Sequence, residues 1–351
     1  MLSILRSSLL HPLNERQAWS ALLGALNPRW SLTEARAQVL SVVVETPTVS
    51  SFWLRPNGAF KGFKAGQHVL VGLELNGVRE FRAFSFSSAP DADKSFRITV
   101  QRQPQGRVTA ALHQLKPGDW VHLGQASGDY SPSSQTAPLL LIAAGSGITP
   151  MLGLLAQIAR SGIDRDVVLL QCVRQRAGLI GDAELAVRSA SIPGLRRLVH
   201  VSETHGRIDS ESLDTLVPDW QRRETLLCGP ASFARSFERA FERRGLLGQL
   251  KIERFGSLPP TIDESAPVLP VVFTSSVQSF TAAAGQSLLA AAEAVGLQPR
   301  FGCRRGICKT CQCRKQSGIV KNLHTGEISG AGDEWISLCI STPLSRVEIS
   351  A

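Results

Sequence analysis

Five of the seven cysteines fall between positions 303 and 339, and four of them, Cys303, Cys308, Cys311 and Cys339, follow the spacing C-x₄-C-x₂-C with the last far downstream. Three thiolates on one tight loop and a fourth from a distant strand can enclose two irons, and the spacing is that of a [2Fe–2S] site. Gly302 and Gly306 let the backbone close in where a Cβ would obstruct it. Four thiolates also suit tetrahedral zinc, but zinc sites more often pair two C-x₂₋₄-C knuckles than place three ligands on one loop. Cys313, two residues past Cys311, reads as non-ligating and turned away from the metal. Cys172 lies in an apolar strand pattern and reads as a small core residue.

With 351 residues the chain has room for two or three domains. Hydrophobic residues at 43% and charged residues at 19% exclude wholesale disorder. No apolar run of about 18 residues is present, so no bilayer-spanning helix is expected. The N-terminal stretch MLSILRSSLLHPLN lacks the long apolar core of a secretory signal, and cysteines clustered in such a chain point to metal or redox chemistry rather than disulfides. The expected compartment is the cytoplasm. The net charge of +9 is spread along the chain rather than gathered in one tract, which argues against nucleic acid as a partner.

Four stretches differ in pattern. Residues 1–36 carry helical-looking segments (NERQAWSALLGAL and SLTEARA) broken at Asn27-Pro28. Residues 37–134 hold short β-branched or aromatic runs (VLSVVVE, SSFWLRP, HVLVGLEL, EFRAFSFSS, FRITVQR) set off by turns, as in a small antiparallel barrel. Residues 135–256 alternate apolar strands (PLLLIAAG, VVLLQCVR, LRRLVHVSE, TLLCGP) with helix-like runs, as in a parallel α/β sheet. Residues 257–268 read as a Pro- and Ser-rich linker. Residues 269–351 open with a hairpin (VVFTSSVQSFTAAAG) and a helix (QSLLAAAEAVG) ahead of the cysteine loop.

The last segment resembles the plant-type ferredoxin domain, a β-grasp fold, through its glycine-bounded cysteines and the Pro343 that follows Cys339. The same loop carries Arg304, Arg305, Lys309, Arg314 and Lys315. Positive charge there favours the reduced cluster and suits an acidic docking partner.

Arg82-Ala83-Phe84-Ser85, followed by Gln105-Gly106-Arg107-Val108-Thr109, is on its own an ordinary strand and turn. In this order the two pieces resemble the R-x-[Y/F]-S and G-x-x-[S/T] flavin motifs of the ferredoxin–NADP reductase superfamily. The resemblance implies FAD, with Arg82 on the pyrophosphate, Phe84 packed on the isoalloxazine and Ser85 bonded near N5. It also places Thr109 and the amides around Gly106 at a helix N-terminus facing phosphate. Phe84 stands where many members have tyrosine, so the ring packing is kept and a phenolic hydrogen bond is not.

Gly145-Ser146-Gly147-Ile148-Thr149-Pro150, between a buried strand and a helix, resembles the nucleotide loop of that superfamily, and Cys228-Gly229-Pro230 resembles its nicotinamide-side marker. Gly145, Gly147, Thr149 and Pro150 then face the nucleotide, and Cys228, Gly229 and Pro230 the nicotinamide. Ser85 and Cys228 are the implied catalytic positions. Phe255, in Glu253-Arg254-Phe255, is a further candidate near the flavin. Arg174 and Arg176 stand where a 2′-phosphate would lie and favour NADPH, whereas Glu203 stands where many NADPH enzymes place an arginine.

The domain order is similar to that of one-component reductases of oxygenase and desaturase systems. It implies an NAD(P)H-dependent oxidoreductase with FAD, a [2Fe–2S] cluster and NADPH or NADH, passing electrons to a partner protein. Residues 1–36 and VPDWQRRETLLCGP resemble reductases that serve membrane fatty-acyl desaturases, which implies such a desaturase as that partner and peripheral association with the cytoplasmic membrane face. A soluble oxygenase or hydroxylase is the alternative acceptor, and a non-enzymatic redox-sensing or interaction protein the alternative of another class. A monomer is expected. An oxidised cluster and a flavin pyrophosphate, at about −2 each, would bring the charge to roughly +5.

Overall fold

The computed structural model describes residues 16–104, 106–209, 211–255, 267–301, 306, 310–323 and 325–351. Residues 1–15 of the N-terminal extension, Gln105, Gly256 and most of the linker (257–266), Gly302, Cys303, Arg304, Arg305, Cys308 and Lys309 lie outside the described residues. The chain forms two compact units, Met1–Arg79 with Ala83–Gly256, and Ser257–Ala351 with Glu80–Arg82.

Among the described residues of the first unit, helix α1 (Arg16–Leu26) and a 3₁₀ turn at Pro28–Trp30 come first. SLTEARA is not helical: residues 31–35 are irregular and β1 starts at Arg36. Side chains supply the backbone partners that a helix would have supplied. Ser20 Oγ accepts the N–H groups of Leu32 and Thr33, and Asn57 Nδ2 donates to the carbonyls of Ser31 and Glu34. Local polar bonds of this kind compete with the helical ladder.

Strands β1 (Arg36–Thr46), β2 (Val49–Pro56), β3 (His68–Leu75), β4 (Val78–Ser85), β5 (Phe96–Gln101) and β6 (Trp120–Leu123) form one sheet in the order β4-β3-β6-β1-β2-β5. An antiparallel bridge between Phe86 and Ile98 joins the two ends of that order and closes the barrel. Alternation along the strands turns Phe52, Leu54, Val69, Val71, Phe96 and Ile98 inward. Helix α2 (Arg107–Leu112) caps one side.

Next comes a five-stranded parallel sheet of β7 (Leu139–Ala144), β8 (Val167–Val173), β9 (Leu195–Val201), β10 (Glu224–Pro230) and β11 (Leu250–Phe255), ordered β11-β10-β7-β8-β9. The central strands β7, β8 and β10 are near-continuous buried runs because helices cover both faces, while the edge strands β9 and β11 carry charged residues and are half-buried. Leu139, Leu141, Leu226 and Cys228 face the cluster that includes Met151 and Leu155 of α3 (Ile148–Ser161) and Leu185 of α4 (Asp182–Ser191). Leu140, Ile142 and Leu227 face Trp220 and the phenylalanines of a later helix. Short helices α5 (Ser202–His205) and α6 (Ser212–Leu216) precede that helix, α7 (Ala231–Arg243).

In the second unit β12 (Val268–Phe273) and β13 (Gln278–Ala283) form the expected hairpin, followed by α8 (Leu288–Ala294). Strands β14 (Gln312–Ser317), β15 (Val320–Asn322), β16 (Glu334–Ser337), β17 (Ser341–Pro343) and β18 (Val347–Ser350) complete it. The five-stranded sheet runs β13-β12-β18-β14-β16, with β12 and β18 parallel and the other pairs antiparallel. A mixed sheet with a helix laid across it is the β-grasp arrangement expected from the sequence.

Candidate active site and cluster site

The carboxyl ends of β10, β11 and β7 gather most of the candidate residues of the first unit. Cys228 and Glu253 are opposite each other in the β10–β11 register, as are Gly229 with Arg254 and Pro230 with Phe255. Side chains two apart on a strand share a face, so Cys228, Glu253 and Phe255 project to the same side of the sheet. From the barrel, Ser85 at the end of β4 donates its hydroxyl hydrogen bond to Glu253 Oε2 at 3.3 Å. Ser85 and Cys228 are thus brought to one place by a residue that the motif reading had not assigned a role, Glu253. In the sequence Glu253 is marked by its place in Glu253-Arg254-Phe255, the stretch that closes the α/β domain.

Arg82, Ala83 and Phe84 lie half-buried on the same strand, and Arg82 Nη1 donates to the Phe81 carbonyl at 2.7 Å. Phe84 packs at the margin of the barrel core. Arg107 and Val108 open α2, with Gly106 as its N-cap. The Thr109 hydroxyl is engaged within its own turn, donating to Gly106 O at 3.0 Å and accepting from Gln103 N at 3.2 Å. Its role is therefore to shape the turn that presents the first amides of α2.

Gly145 has φ +54 and a Cβ there would meet nothing within 4 Å, whereas a Cβ on Gly147 would fall on the Cys228 carbonyl. The loop 145–150 therefore passes directly over the end of β10, open on one side and in backbone contact on the other. Thr149 and Pro150 are buried in the first turn of the 14-residue helix α3. Small residues, an open left-handed glycine and a helix N-terminus are what a pyrophosphate needs for close approach, so these residues fit a dinucleotide.

At the ends of β8 and β9, Arg174 and Arg176 are exposed. Glu203 Oε1 accepts from Arg174 Nε at 3.2 Å and from Gln175 Nε2 at 2.8 Å, so the acidic residue orients the arginine beside it.

In the second unit Cys311 and Cys339 are buried at the same end of the core, joined by the Leu338 N–H bonded to Cys311 O at 3.1 Å. The Gly306 N–H donates to Cys339 Sγ at 3.2 Å. An amide aimed at a thiolate is the environment an iron–sulfur ligand requires, so the described residues fit the cluster. Gly306 has φ +75, and a Cβ there would fall on the Ile340 side chain. Cys313 lies on β14 opposite Ile336, buried, with its thiol directed at the Ile336 carbonyl at 4.0 Å. Burial pushes that thiol up to about 12, as befits a core residue. Burial does the same to Cys172.

One expectation about the cluster rim is corrected. Lys315 is fully buried, and its Nζ donates to Gly318 O at 2.8 Å and Gly330 O at 2.9 Å, reaches Gly332 O, and lies 3.2 Å from Glu334 Oε1. It fastens the 318–332 segment from within and is not a docking charge. Alternation on β14 turns Arg314 outward, where it pairs with Asp333 at 2.7 Å.

Comparison with known proteins agrees with these domains. The chain matches the oxidoreductase FAD-binding domain over residues 39–131, the oxidoreductase NAD-binding domain over 141–239 and the 2Fe-2S iron-sulfur cluster binding domain over 273–344. It belongs to the ferredoxin–NADP reductase family, in the branch that carries a C-terminal [2Fe–2S] ferredoxin domain, and is an NAD(P)H oxidoreductase with FAD and a [2Fe–2S] cluster as cofactors. It is 33% identical over 324 residues to an NADPH oxidoreductase of Mycobacterium tuberculosis, covering 90% of this chain and 84% of that protein. It is 27% identical to the glycine betaine monooxygenase reductase subunit of Chromohalobacter salexigens, covering 91% and 96%. In structure it is similar to phthalate dioxygenase reductase, with a TM-score of 0.60 and 20% identity over 91% of this chain and 98% of that one. Among the described residues no helix is long and apolar enough to cross a membrane.

Proposed function

We propose that this reductase serves the terminal component of an oxygenase system in the cytoplasm, drawing on NADPH. When bound, FAD would supply the conversion between a two-electron hydride donor and single-electron delivery, and the [2Fe–2S] cluster would supply the one-electron exit toward the acceptor. The observation that carries the reading is the Ser85–Glu253 hydrogen bond beside Cys228, which assembles the expected reaction residues from two separate sheets. The similarity to a monooxygenase reductase subunit supports an oxygenase as acceptor.

The chain's own residues divide the work. Arg82, Ala83, Phe84 and Ser85, with Gly106 to Thr109 and Phe255, hold the flavin. Gly145, Gly147, Thr149 and Pro150 take the nucleotide phosphates, and Cys228, Gly229 and Pro230 shape the nicotinamide side. Glu253 fixes the direction of the Ser85 hydroxyl. Arg174, held by Glu203, and Arg176 receive the 2′-phosphate. Cys303, Cys308, Cys311 and Cys339 hold the cluster. The functional domains are residues 37–134, 135–256 and 269–351, and the protein acts as a monomer toward an acidic face of its acceptor.

An anaerobic NADPH and NADH titration followed by visible absorption tests this. Bleaching of both flavin and iron–sulfur bands, at lower NADPH than NADH, is expected; a protein lacking either chromophore would refute the reading. Cys308→Ser should spare flavin reduction and abolish delivery to a one-electron protein acceptor.

A membrane desaturase is the second reading, favoured by the exposed Trp19, Leu22 and Leu26 along α1 and Trp30 beyond it. A Trp19→Ser/Leu22→Ser/Leu26→Ser variant decides between them. Loss of vesicle binding and of coupling to a membrane acceptor, with soluble turnover unchanged, would favour the desaturase over the oxygenase.

A further inference from the structure

Tyr130, the chain's single tyrosine, is buried, and among the described residues its hydroxyl has no hydrogen-bond partner. A buried phenol ordinarily finds one, since an unpaired hydroxyl costs about 1–3 kcal/mol. The residue is also tightly placed. Its N–H bonds to Gly66 O at 3.3 Å, and a Cβ on Gly66 would fall on the Tyr130 carbonyl, so the barrel fixes it from one side. From the other side, Lys251 Nζ on β11 donates to the neighbouring Ser131 carbonyl at 2.7 Å. The ring packs in the cluster that contains Cys228 and Met151, with Phe255 at its edge. Burial first, then the charges of Cys228 and Glu253, hold the phenol far above its ordinary range, so it is a neutral donor at any working pH.

We propose that Tyr130 is a positioning residue for the reduced nicotinamide, its hydroxyl donating a hydrogen bond to the carboxamide carbonyl of the ring beside Cys228. This rests on the reading of the Ser85–Glu253–Cys228 group as the hydride-transfer site. The carboxamide offers the acceptor that the hydroxyl lacks. A ring held by that bond presents one face of its C4, because rotation about the glycosidic bond would carry the carboxamide away from the phenol. Tyr130 touches no reacting atom; it selects the orientation in which the reacting atoms meet.

The test is Tyr130→Phe in the full-length holoprotein, which keeps the ring and removes only the oxygen. Flavin content, cluster absorption and dithionite reduction should equal those of the parent. The thermal midpoint should be unchanged or higher, since the orphaned oxygen is gone. Flavin reduction by NADPH should lose about five- to tenfold in kcat/KM, the worth of one such bond. With 4R- and 4S-deuterated NADPH the variant should also transfer deuterium from both labels where the parent uses one. In a cycle with thionicotinamide NADPH, whose sulfur is a weak acceptor, the substitution should cost little. Unchanged kinetics and unchanged stereochemistry in Tyr130→Phe would overturn the proposal, as would an equal loss with both nucleotides. If the parent protein itself fails to take hydride from NADPH or NADH, the underlying site reading has failed instead.

Discussion

Arg97 Nη1 on β5 lies 2.7 Å from Glu184 Oε2 on α4, an ion pair that ties the barrel to the parallel α/β sheet. Both partners are well covered, with side-chain exposures of 10% and 23%. Arg97 is further held by Ser87 Oγ, which accepts from its Nε at 3.1 Å, and Glu184 also receives Arg188 at 2.7 Å. Glu184→Gln leaves two guanidinium groups without their anion in a sheltered setting. It should cost about 2 kcal/mol in denaturant unfolding, and a double Arg97→Met/Glu184→Met change should cost less than the single one. A single-variant loss no larger than that of an exposed pair would show the contact to be incidental.

Gly147→Ala tests the contact between the nucleotide loop and β10. The new Cβ would fall on backbone, the Cys228 carbonyl, which cannot turn aside as a side-chain tip can. The loop must move, so NADPH affinity should drop about tenfold, roughly 1.4 kcal/mol, while flavin content stays intact. Gly145→Ala meets open space and carries only the strain of φ +54, so the milder effect is expected there. Equilibrium binding measured on both variants provides the comparison.

At the cluster, Gly306→Ala introduces crowding against Ile340 and an unfavourable φ of +75 beside the N–H that serves Cys339. The variant should lose its iron–sulfur absorption faster in air and leave flavin reduction by NADPH unaltered. Adding Ile340→Ala removes the crowding but not the backbone strain, so only partial recovery is expected. Full recovery would assign the whole effect to packing.

His122, opposite Arg36 in the β1–β6 register, is pushed down to about 4, first by burial and then by Arg79 and Arg36. The unfolded chain therefore takes up this proton first as pH falls. Stability from the neutral, buried ring is complete above the ordinary value of 6.5 and is lost progressively down to the folded value. Between pH 6.5 and 5 the loss should reach about 1.5 kcal/mol, seen as a lower urea midpoint of the barrel. His122→Gln should flatten that dependence, and an unflattened profile would place the titrating group elsewhere.

Much of this architecture is written in local pattern. The run HVLVGLEL coincides with β3, and the continuous apolar runs of β7 and β8 announce strands covered on both sides. Short or contextual elements were not legible. WVHL forms β6 by pairing with β1 and β3, a cue that four residues do not carry alone. SLTEARA has helical composition, but Ser20 and Asn57 take up its backbone groups from elsewhere in the chain. The motif glycines and cysteines were visible through their fixed spacing. Glu253 and Tyr130 were not, because each gains its meaning from a neighbour distant in sequence, Ser85 for one and Cys228 for the other.

Lys315 has a consequence for how the ferredoxin unit weathers its surroundings. The carbonyls of Gly318, Gly330 and Gly332 converge on one point, an oxygen cluster of the kind that suits a hard cation such as calcium. Here the ammonium reaching the oxygens of Gly318, Gly330 and Gly332 is tethered to β14 by its own side chain. The fastening cannot diffuse away, be stripped by a chelator or be exchanged for another ion. Treatments that extract iron therefore leave this part of the domain its internal counterpart of a bound ion.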